Sequence, residues 1–272
     1  MPFAGKSDDG NGQKTPDPRG PGIREIPLRM VVPNLVTVLA ICAGLTGIRL
    51  AFEQRIELAV AMVLLAAFLD GVDGRVARAL KATSKFGAEM DSLADIVNFG
   101  VAPALVLYAF LLDGAGAPGW IAALLFAIAC GLRLARFNVM DHDPNRASGW
   151  RAGYFVGVPA PAGAMLVLLP AYLSFLGVEH GAVFAGVSSV FTLLVACLLV
   201  SRVPVWSGKN IGRVRGDVVM PLILAIVSYV LLLINYPWHT MSVTAIAYLA
   251  FIPLSWHFYR RREARERASG PA

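Results

Sequence analysis

The chain has 272 residues, of which 57% are hydrophobic and only 15% are charged. Soluble domains usually carry about 25% charged residues, so this composition excludes an ordinary soluble protein and indicates that lipid is the main solvent. The formal net charge of +6 does not indicate nucleic-acid binding, because the lysines and arginines lie at the ends of apolar segments and in short loops. Cys42, Cys130 and Cys197 fall inside apolar stretches without metal-ligand spacing and are interpreted as small hydrophobic residues.

The apolar segments in chain order predict an all-α polytopic membrane helix bundle of about eight transmembrane helices. Residues 1–28 lack the apolar core of a secretory signal and are expected to form a disordered cytoplasmic tail. A transmembrane catalytic domain is predicted over 29–260, and a basic cytoplasmic tail over 261–272. The predicted spans, each close to the roughly 20 residues that cross a bilayer, are 31–52, 57–80, 90–112, 118–140, 157–177, 181–201, 217–235 and 240–259.

The distribution of basic residues predicts the orientation of these spans. With the N-terminus in the cytoplasm and the sides alternating, every lysine and arginine except Arg49 and Arg55 falls on the cytoplasmic side. This bias follows the positive-inside rule. We therefore expect both termini in the cytoplasm and the chain in the inner cell membrane.

Four aspartates fall within or beside the second and third spans: Asp70, Asp73, Asp91 and Asp95. A carboxylate at the centre of a span costs about 2.5–3.5 kcal/mol on insertion scales. Bound divalent cations would offset this cost, since hard oxygen ligands select Mg²⁺ or Mn²⁺ rather than zinc. The alternative is a structural ion-pair network with neighbouring arginines and lysines.

The spacing of the four aspartates favours a metal site. Asp70 and Asp73 lie roughly 60° apart around their helix, and Asp91 and Asp95 are four residues apart on the next helix. Two antiparallel helices can therefore bring all four carboxylates to one point near the cytoplasmic side. Four carboxylates suit a site with two metal ions about 3.5–4 Å apart.

Small residues and a cation stand beside the aspartates. Gly74, Ala77 and Gly87 leave room for a phosphorylated ligand to approach the backbone, although small residues also serve helix packing in membranes. Arg78 is a fixed positive charge that could pair with a diphosphate.

Together these residues resemble the signature of the CDP-alcohol phosphotransferase family. Asp70-x-x-Asp73-Gly74-x-x-Ala77-Arg78 is followed, after eight residues, by Gly87-x-x-x-Asp91-x-x-x-Asp95, and every fixed position of the signature is present. Eight fixed positions at defined spacing form a specific motif, in contrast to an isolated glycine motif. The signature covers about a tenth of the chain.

The resemblance implies a role for each residue of the signature. Asp70, Asp73 and Asp91 would ligate the metals, with Asp95 near them as the general base for the acceptor hydroxyl, so that Asp91 and Asp95 are the catalytic candidates. The CDP moiety would be held by Gly74, Ala77, Arg78 and Gly87. Asn34 and Thr37, which open the first span, could also reach the nucleotide or could satisfy neighbouring backbone groups. The resemblance further suggests a homodimer.

Flanking segments resemble the branch of the family that uses L-serine as acceptor, the bacterial phosphatidylserine synthases. The segments are DSLADIVNFGVAPA (91–104), GLRLARFNV (131–139), PNLVT (33–37), GVPAPAGA (157–164) and, more loosely, SRVPVWSGK (201–209). This likeness implies that CDP-diacylglycerol and L-serine are the substrates.

Basic and polar residues outside the signature are candidates for binding the acceptor or the lipid phosphate. Arg133 and Arg136 lie three residues apart near the inner end of the fourth span, where they either face a wet cavity or anchor the topology. Weaker candidates are Asn138, Arg202 and Lys209.

Two other functions remain open from the sequence. The same chemistry could serve glycerol phosphate, inositol phosphate or choline as acceptor. An ion-coupled transporter could use embedded aspartates as a relay, but it would leave Gly74, Arg78 and Gly87 unexplained.

Overall fold

A computed structural model describes residues 28–80, 82, 84–141, 154–206 and 216–269. The predicted tail at 1–28 lies outside the described residues except for Leu28, and the candidate Lys209 also lies outside them. The helices are α1 (Leu28–Phe52), α2 (Ile56–Ala79), α3 (Lys85–Asp95), α4 (Ala102–Phe110), α5 (Ala117–Asp141), α6 (Ala160–Val167), α7 (Leu169–Phe175), α8 (Ala182–Val200), α9 (Gly216–Asn235) and α10 (Pro237–Ser269).

The described residues confirm a helical membrane protein. By length and composition, six helical segments can cross a membrane: Val31–Phe52, Lys85–Phe110, Ala117–Met140, Ala182–Val200, Val218–Asn235 and Pro237–Arg265. Helix α2 is 24 residues long, but its charged residues set it apart from the six. The last of the six continues as α10 to Ser269, so the predicted basic tail is helical as far as the structure describes it.

Helices α3 and α4 form one rod that is joined by a π-helical segment, Ile96–Val101. Pro103 has no backbone N–H and stands in the first turn of α4, so it cannot donate to the carbonyl of Phe99 in an α-helical ladder. A π-helical turn is a common way to accommodate such an interruption, and it often marks a functional region. Here it follows directly after Asp95.

The predicted span 157–177 is not one continuous helix. It consists of α6 and α7, which meet at Leu168, where the backbone has φ −80° and ψ −1°. Pro170 follows in the first turn of α7 and removes the hydrogen bond that would otherwise reach back across the junction. The sequence prediction missed this break because it followed the hydropathy of the segment, although Pro170 was the available signal.

A small two-stranded sheet departs from the purely α-helical prediction. Strand β1 (Tyr154–Val156) pairs antiparallel with β2 (Pro204–Trp206). The backbone N–H of Trp206 donates to Ser255 Oγ (2.9 Å), and that hydroxyl donates to the carbonyl of Pro204 (3.1 Å). Through Ser255, the sheet is tied to α10.

The core lies where α1, α2 and α4 to α8 meet, and α10 adds buried side chains at one side. Helix α1 packs along α2 and contacts α3 and α4, while α5 packs against α8 and the π-helical segment. Fully buried side chains at the centre include Phe99, Leu107 and Phe126. In contrast, the side chains of α9 are almost all exposed, as expected for a helix that faces lipid.

The entry of α5 allows a test of this packing. A Cβ atom at Gly119 would lie 1.9 Å from the carbonyl oxygen of Leu112, which is backbone and cannot rotate away. We expect Gly119→Ala to lower the free energy of unfolding by about 2 kcal/mol or more, measured as a lower melting temperature in detergent. Gly131→Ala is the matched control on the same helix, because nothing lies within 4 Å of its added Cβ. Equal melting temperatures for the two variants would contradict the packing.

Candidate metal and nucleotide site

Carboxylates from α2 and α3 meet at one point. One carboxylate oxygen from each of Asp70, Asp73 and Asp91 lies within 4.8 Å of the others. Asp73 is buried, and Asp70 and Asp91 are half-buried. The structure therefore brings together three of the four predicted metal ligands, two from one helix and one from the next.

The environment of these carboxylates fits a divalent cation. The Oδ1 atoms of Asp70 and Asp73 are buried without a hydrogen-bond partner among the described residues. No described lysine or arginine lies within ion-pair distance of any of the four aspartates, which argues against the structural ion-pair network. Clustered carboxylates with unused lone pairs offer the hard oxygen ligands that Mg²⁺ and Mn²⁺ prefer.

Asp95 occupies a different place from the other three aspartates. It lies one turn further along α3 than Asp91, and its carboxyl group lies beside that of Asp70. On its other side it interacts electrostatically with Arg133 of α5. Asp95 thus joins the acidic cluster to a cationic side chain of a third helix.

Thr37 on α1 contacts the cluster directly. Its hydroxyl lies 2.6 Å from Asp73 Oδ2, to which it donates, and 3.2 Å from the carbonyl oxygen of Pro33. The sequence left open whether Thr37 reaches a nucleotide or satisfies backbone groups. The structure places it against Asp73, where its hydrogen bond orients one carboxylate oxygen and leaves Oδ1 available.

A cleft of about 180 Å³ opens beside the cluster. It brings together the predicted nucleotide-binding residues of α1, α2 and α3. The residues that line it are Pro33, Asn34, Thr37, Asp73, Gly74, Ala77, Arg78, Ala82, Ser84, Gly87, Ala88 and Asp91. All six predicted CDP-binding residues therefore face one cavity, together with two of the aspartates.

The two glycines of the cleft serve different purposes. A Cβ at Gly74 would meet nothing within 4 Å, so packing within the described residues gives no reason for a glycine there. A Cβ at Gly87 would lie 3.0 Å from Asn34 Oδ1 and 3.1 Å from Ser84 Oγ. Gly87 is therefore explained by close packing, whereas Gly74 keeps open the space that a ligand would occupy.

Arg78 stands at the edge of the cleft, where it is exposed. It interacts electrostatically with Asp91 without forming an ion pair. Its guanidinium is therefore free to approach an anionic ligand in the cleft, and a guanidinium can bind phosphate oxygens in a bidentate manner.

The predicted acceptor-binding residues differ in burial and in the groups that they contact. Arg133 is buried, with 9% of its surface exposed, and faces Asp95. Arg136 Nη1 donates to the carbonyl of Val200 (2.8 Å) at the end of α8, and Asn138 Nδ2 donates to Ser92 Oγ (3.1 Å) on α3. Arg202 is exposed beyond α8 and does not line the cleft.

Sequence reasoning missed Ser84, which lines the cleft and caps α3. Its Oγ accepts a hydrogen bond from the backbone N–H of Gly87 (3.0 Å). The signal was present in the sequence, because a serine immediately before a helical segment is a common N-cap. This cap fixes the start of the helix that carries Asp91 and Asp95.

Comparison with known proteins agrees with this geometry. Residues 30–200 match the family model described as CDP-alcohol phosphatidyltransferase, and residues 217–253 match a second model described as CDP-alcohol phosphatidyltransferase 2. This chain belongs to the CDP-alcohol phosphatidyltransferase family. The match of 30–200 contains the whole acidic cluster and the cleft.

Curated relatives of this family member carry one name. A protein of Mycobacterium leprae is 40% identical over 233 residues, covering 85% of this chain and 76% of the relative. A protein of Helicobacter pylori is 35% identical, and the match covers 83% of this chain and 91% of the relative. One of Methanocaldococcus jannaschii is 32% identical, and the match covers 64% of this chain and 73% of the relative. Each is named CDP-diacylglycerol–serine O-phosphatidyltransferase.

The open space at Gly74 gives a direct test of the cleft. We expect Gly74→Ala to raise the KM for the CDP-linked lipid about tenfold or more, equivalent to about 1.4 kcal/mol, because the added methyl group occupies the ligand's space. The fold should not suffer, since alanine favours a helix over glycine by up to about 1 kcal/mol.

Gly71→Ala is the matched control for this variant. Gly71 lies on the same helix, also has open space at its Cβ position, and does not line the cleft. Its KM should equal that of the unmodified protein. Equal losses in both variants, or none in Gly74→Ala, would contradict the assignment of the cleft.

Proposed function

We propose that this chain transfers a phosphatidyl group from CDP-diacylglycerol to L-serine and releases CMP. The observation that carries the proposal is the acidic cluster of α2 and α3 beside a cleft lined by the family's nucleotide-binding positions. The choice of serine is supported by the name of relatives that match most of the chain, CDP-diacylglycerol–serine O-phosphatidyltransferase.

Divalent cations, Mg²⁺ or Mn²⁺, are proposed to bind to the cluster as a pair. Asp70, Asp73 and Asp91 would hold them, with Asp95 at the edge, because these carboxylates have unused oxygens and no basic partner at ion-pair distance among the described residues. When bound, such ions neutralise the diphosphate and stabilise the leaving phosphate. Thr37 would keep Asp73 oriented for binding through its hydrogen bond.

The CDP moiety is proposed to lie in the cleft. Gly74 and Ala77 provide a surface without bulk, and Arg78 at the edge provides a positive charge for the phosphates. Asn34 presents an amide toward Gly87, and amides are suited to polar groups of a base or ribose.

The transfer itself requires one proton acceptor. In the proposed step, the serine hydroxyl oxygen forms a bond to the phosphorus that carries the diacylglycerol group. The bond from that phosphorus to the oxygen of CMP breaks, and CMP leaves with the bonding electron pair. Asp95 takes the hydroxyl proton, which fits its position between the acidic cluster and Arg133.

Arg133 is proposed to bind the carboxylate of serine, since it is a buried cation next to Asp95. Arg136 and Asn138 are proposed to position the site, because they hydrogen-bond to Val200 at the end of α8 and to Ser92 on α3. Binding of the acceptor or lipid phosphate by Arg136, Asn138, Arg202 and Lys209 stays a prediction.

The proposed topology has eight spans with both termini and the active site on the cytoplasmic side of the inner membrane. Two segments would cross the membrane in addition to the six helical segments above. One is helix α2, which packs along α1 and is 24 residues long, and the other is the pair α6–α7, an apolar run from Ala160 to Phe175. We retain 29–260 as the catalytic domain and a homodimer as the expected assembly.

Release of CMP by the purified protein tests the proposed reaction. We expect CMP from CDP-diacylglycerol only when L-serine and Mg²⁺ or Mn²⁺ are both present, together with labelled phosphatidylserine in equal amount. Label from glycerol phosphate, inositol phosphate or choline in place of serine would overturn the acceptor. Ion flux across liposomes without CMP would overturn the reaction.

Two variants separate the proposed roles of the carboxylates on α3. Asp91→Ala should abolish turnover and metal-dependent binding of the CDP-linked lipid, because the cluster loses its ligand from that helix. Asp95→Asn should lower turnover about 10²–10⁴-fold, the usual effect of general-base catalysis, while binding of the CDP-linked lipid largely survives. Binding is measured by isothermal titration in detergent. Full activity of either variant would contradict its role.

A further inference from the structure

Tyr248 on α10 carries a buried polar atom that has no role in the transfer step proposed above. Its hydroxyl oxygen is buried and has no hydrogen-bond partner among the described residues. A buried hydroxyl left unpaired costs about 1–3 kcal/mol, so such groups usually have a partner when the protein functions. The hydroxyl interacts electrostatically with Arg133, which faces Asp95.

Arg133 is also buried without a close polar partner of opposite charge among the described residues. It is 9% exposed, and among the described residues no carboxylate lies at ion-pair distance from its guanidinium. The guanidinium lies over the ring of Phe137, whose centroid is 5.3 Å from Cζ. Asp95 is within electrostatic range, but a buried guanidinium with no carboxylate at ion-pair distance is unfavourable, and its planar fork is matched to a carboxylate.

Packing alone does not explain a tyrosine at this position. The ring of Tyr248 forms part of the wall of a cavity of about 60 Å³ between α6 and α10, which is otherwise lined by Ala162, Met165, Leu166, Met241, Thr244 and Ala245. These neighbours are almost entirely apolar and would accept a phenylalanine equally well. The hydroxyl is thus the part of the side chain that needs a function.

We propose that Tyr248 is an acceptor-binding residue, whose hydroxyl donates a hydrogen bond to the carboxylate of the acceptor amino acid while Arg133 neutralises its charge. The proposal rests on the proposed transfer to serine. In L-serine the carboxyl carbon is three bonds from the hydroxyl oxygen, so a carboxylate beside Arg133 leaves the hydroxyl close to Asp95, the proposed base.

This subsite would make the enzyme selective for alcohols that carry a carboxylate. An acceptor without one, such as ethanolamine or choline, would leave both the Arg133 guanidinium and the Tyr248 hydroxyl unpaired. Sites built around buried polar groups reject analogues that lack the matching group more strongly than apolar pockets do. Selectivity would therefore come from α5 and α10, outside the signature of α2 and α3.

The test is Tyr248→Phe in the full-length protein, assayed by CMP release against the concentration of L-serine at saturating CDP-diacylglycerol. We expect the KM for serine to rise about tenfold or more, as for loss of a hydrogen bond to a charged group. The kcat and the KM for CDP-diacylglycerol should stay within about twofold of the unmodified enzyme. Serinol, in which a hydroxymethyl group replaces the carboxylate, should be used equally by both enzymes.

Tyr172→Phe is the matched control. The Tyr172 hydroxyl is also buried without a described partner, but Tyr172 lies on α7, where its ring stacks with that of Trp238 at the start of α10. An unchanged serine KM in Tyr248→Phe, an equal rise in Tyr172→Phe, or parallel losses with serine and serinol would each overturn the inference. Failure of the unmodified enzyme to release CMP with serine would instead overturn the proposed function.

Discussion

The central physical constraint on this structure is that carboxylates of α2 and α3 lie close together and repel one another in a medium that screens charge poorly. Asp70, Asp73 and Asp91 hold oxygens within 4.8 Å of one another, and no described basic residue pairs with them. At such distances like charges interact strongly at low effective dielectric. A divalent cation bound there would be attracted by the same carboxylates whose mutual repulsion otherwise destabilises the bundle.

The rest of the fold can be understood as the support for this cluster. Ser84 fixes the start of α3, Thr37 orients Asp73 from α1, and Asn138 holds α3 from α5. The π-helical turn after Asp95 then redirects the chain into α4. The contacts come from α1, from α5 and from the N-cap of α3 itself, which explains why a short signature needs neighbouring helices around it.

Much of the site could be predicted from the sequence, because its residues are local in the chain. Asp70, Asp73, Asp91 and Asp95 follow helical spacing, and one loop joins their helices, so convergence follows from geometry alone. The break at Leu168 had a signal in Pro170, which the hydropathy of the segment does not register. The pairing of β1 with β2 could not be predicted in this way, since distant segments form it. Tyr248 was also missed, because its proximity to Arg133 depends on how α10 packs far from the signature.

Anomalous diffraction from crystals grown with Mn²⁺ would show whether carboxylates from α2 and α3 share divalent cations. We expect Mn²⁺ peaks between α2 and α3, bound to oxygens of Asp70, Asp73 and Asp91 at about 2.0–2.2 Å, close to the distance of Mg²⁺ ligands. Peaks elsewhere, or aspartates turned away toward Arg78 and Arg133 with no ion between the helices, would contradict it.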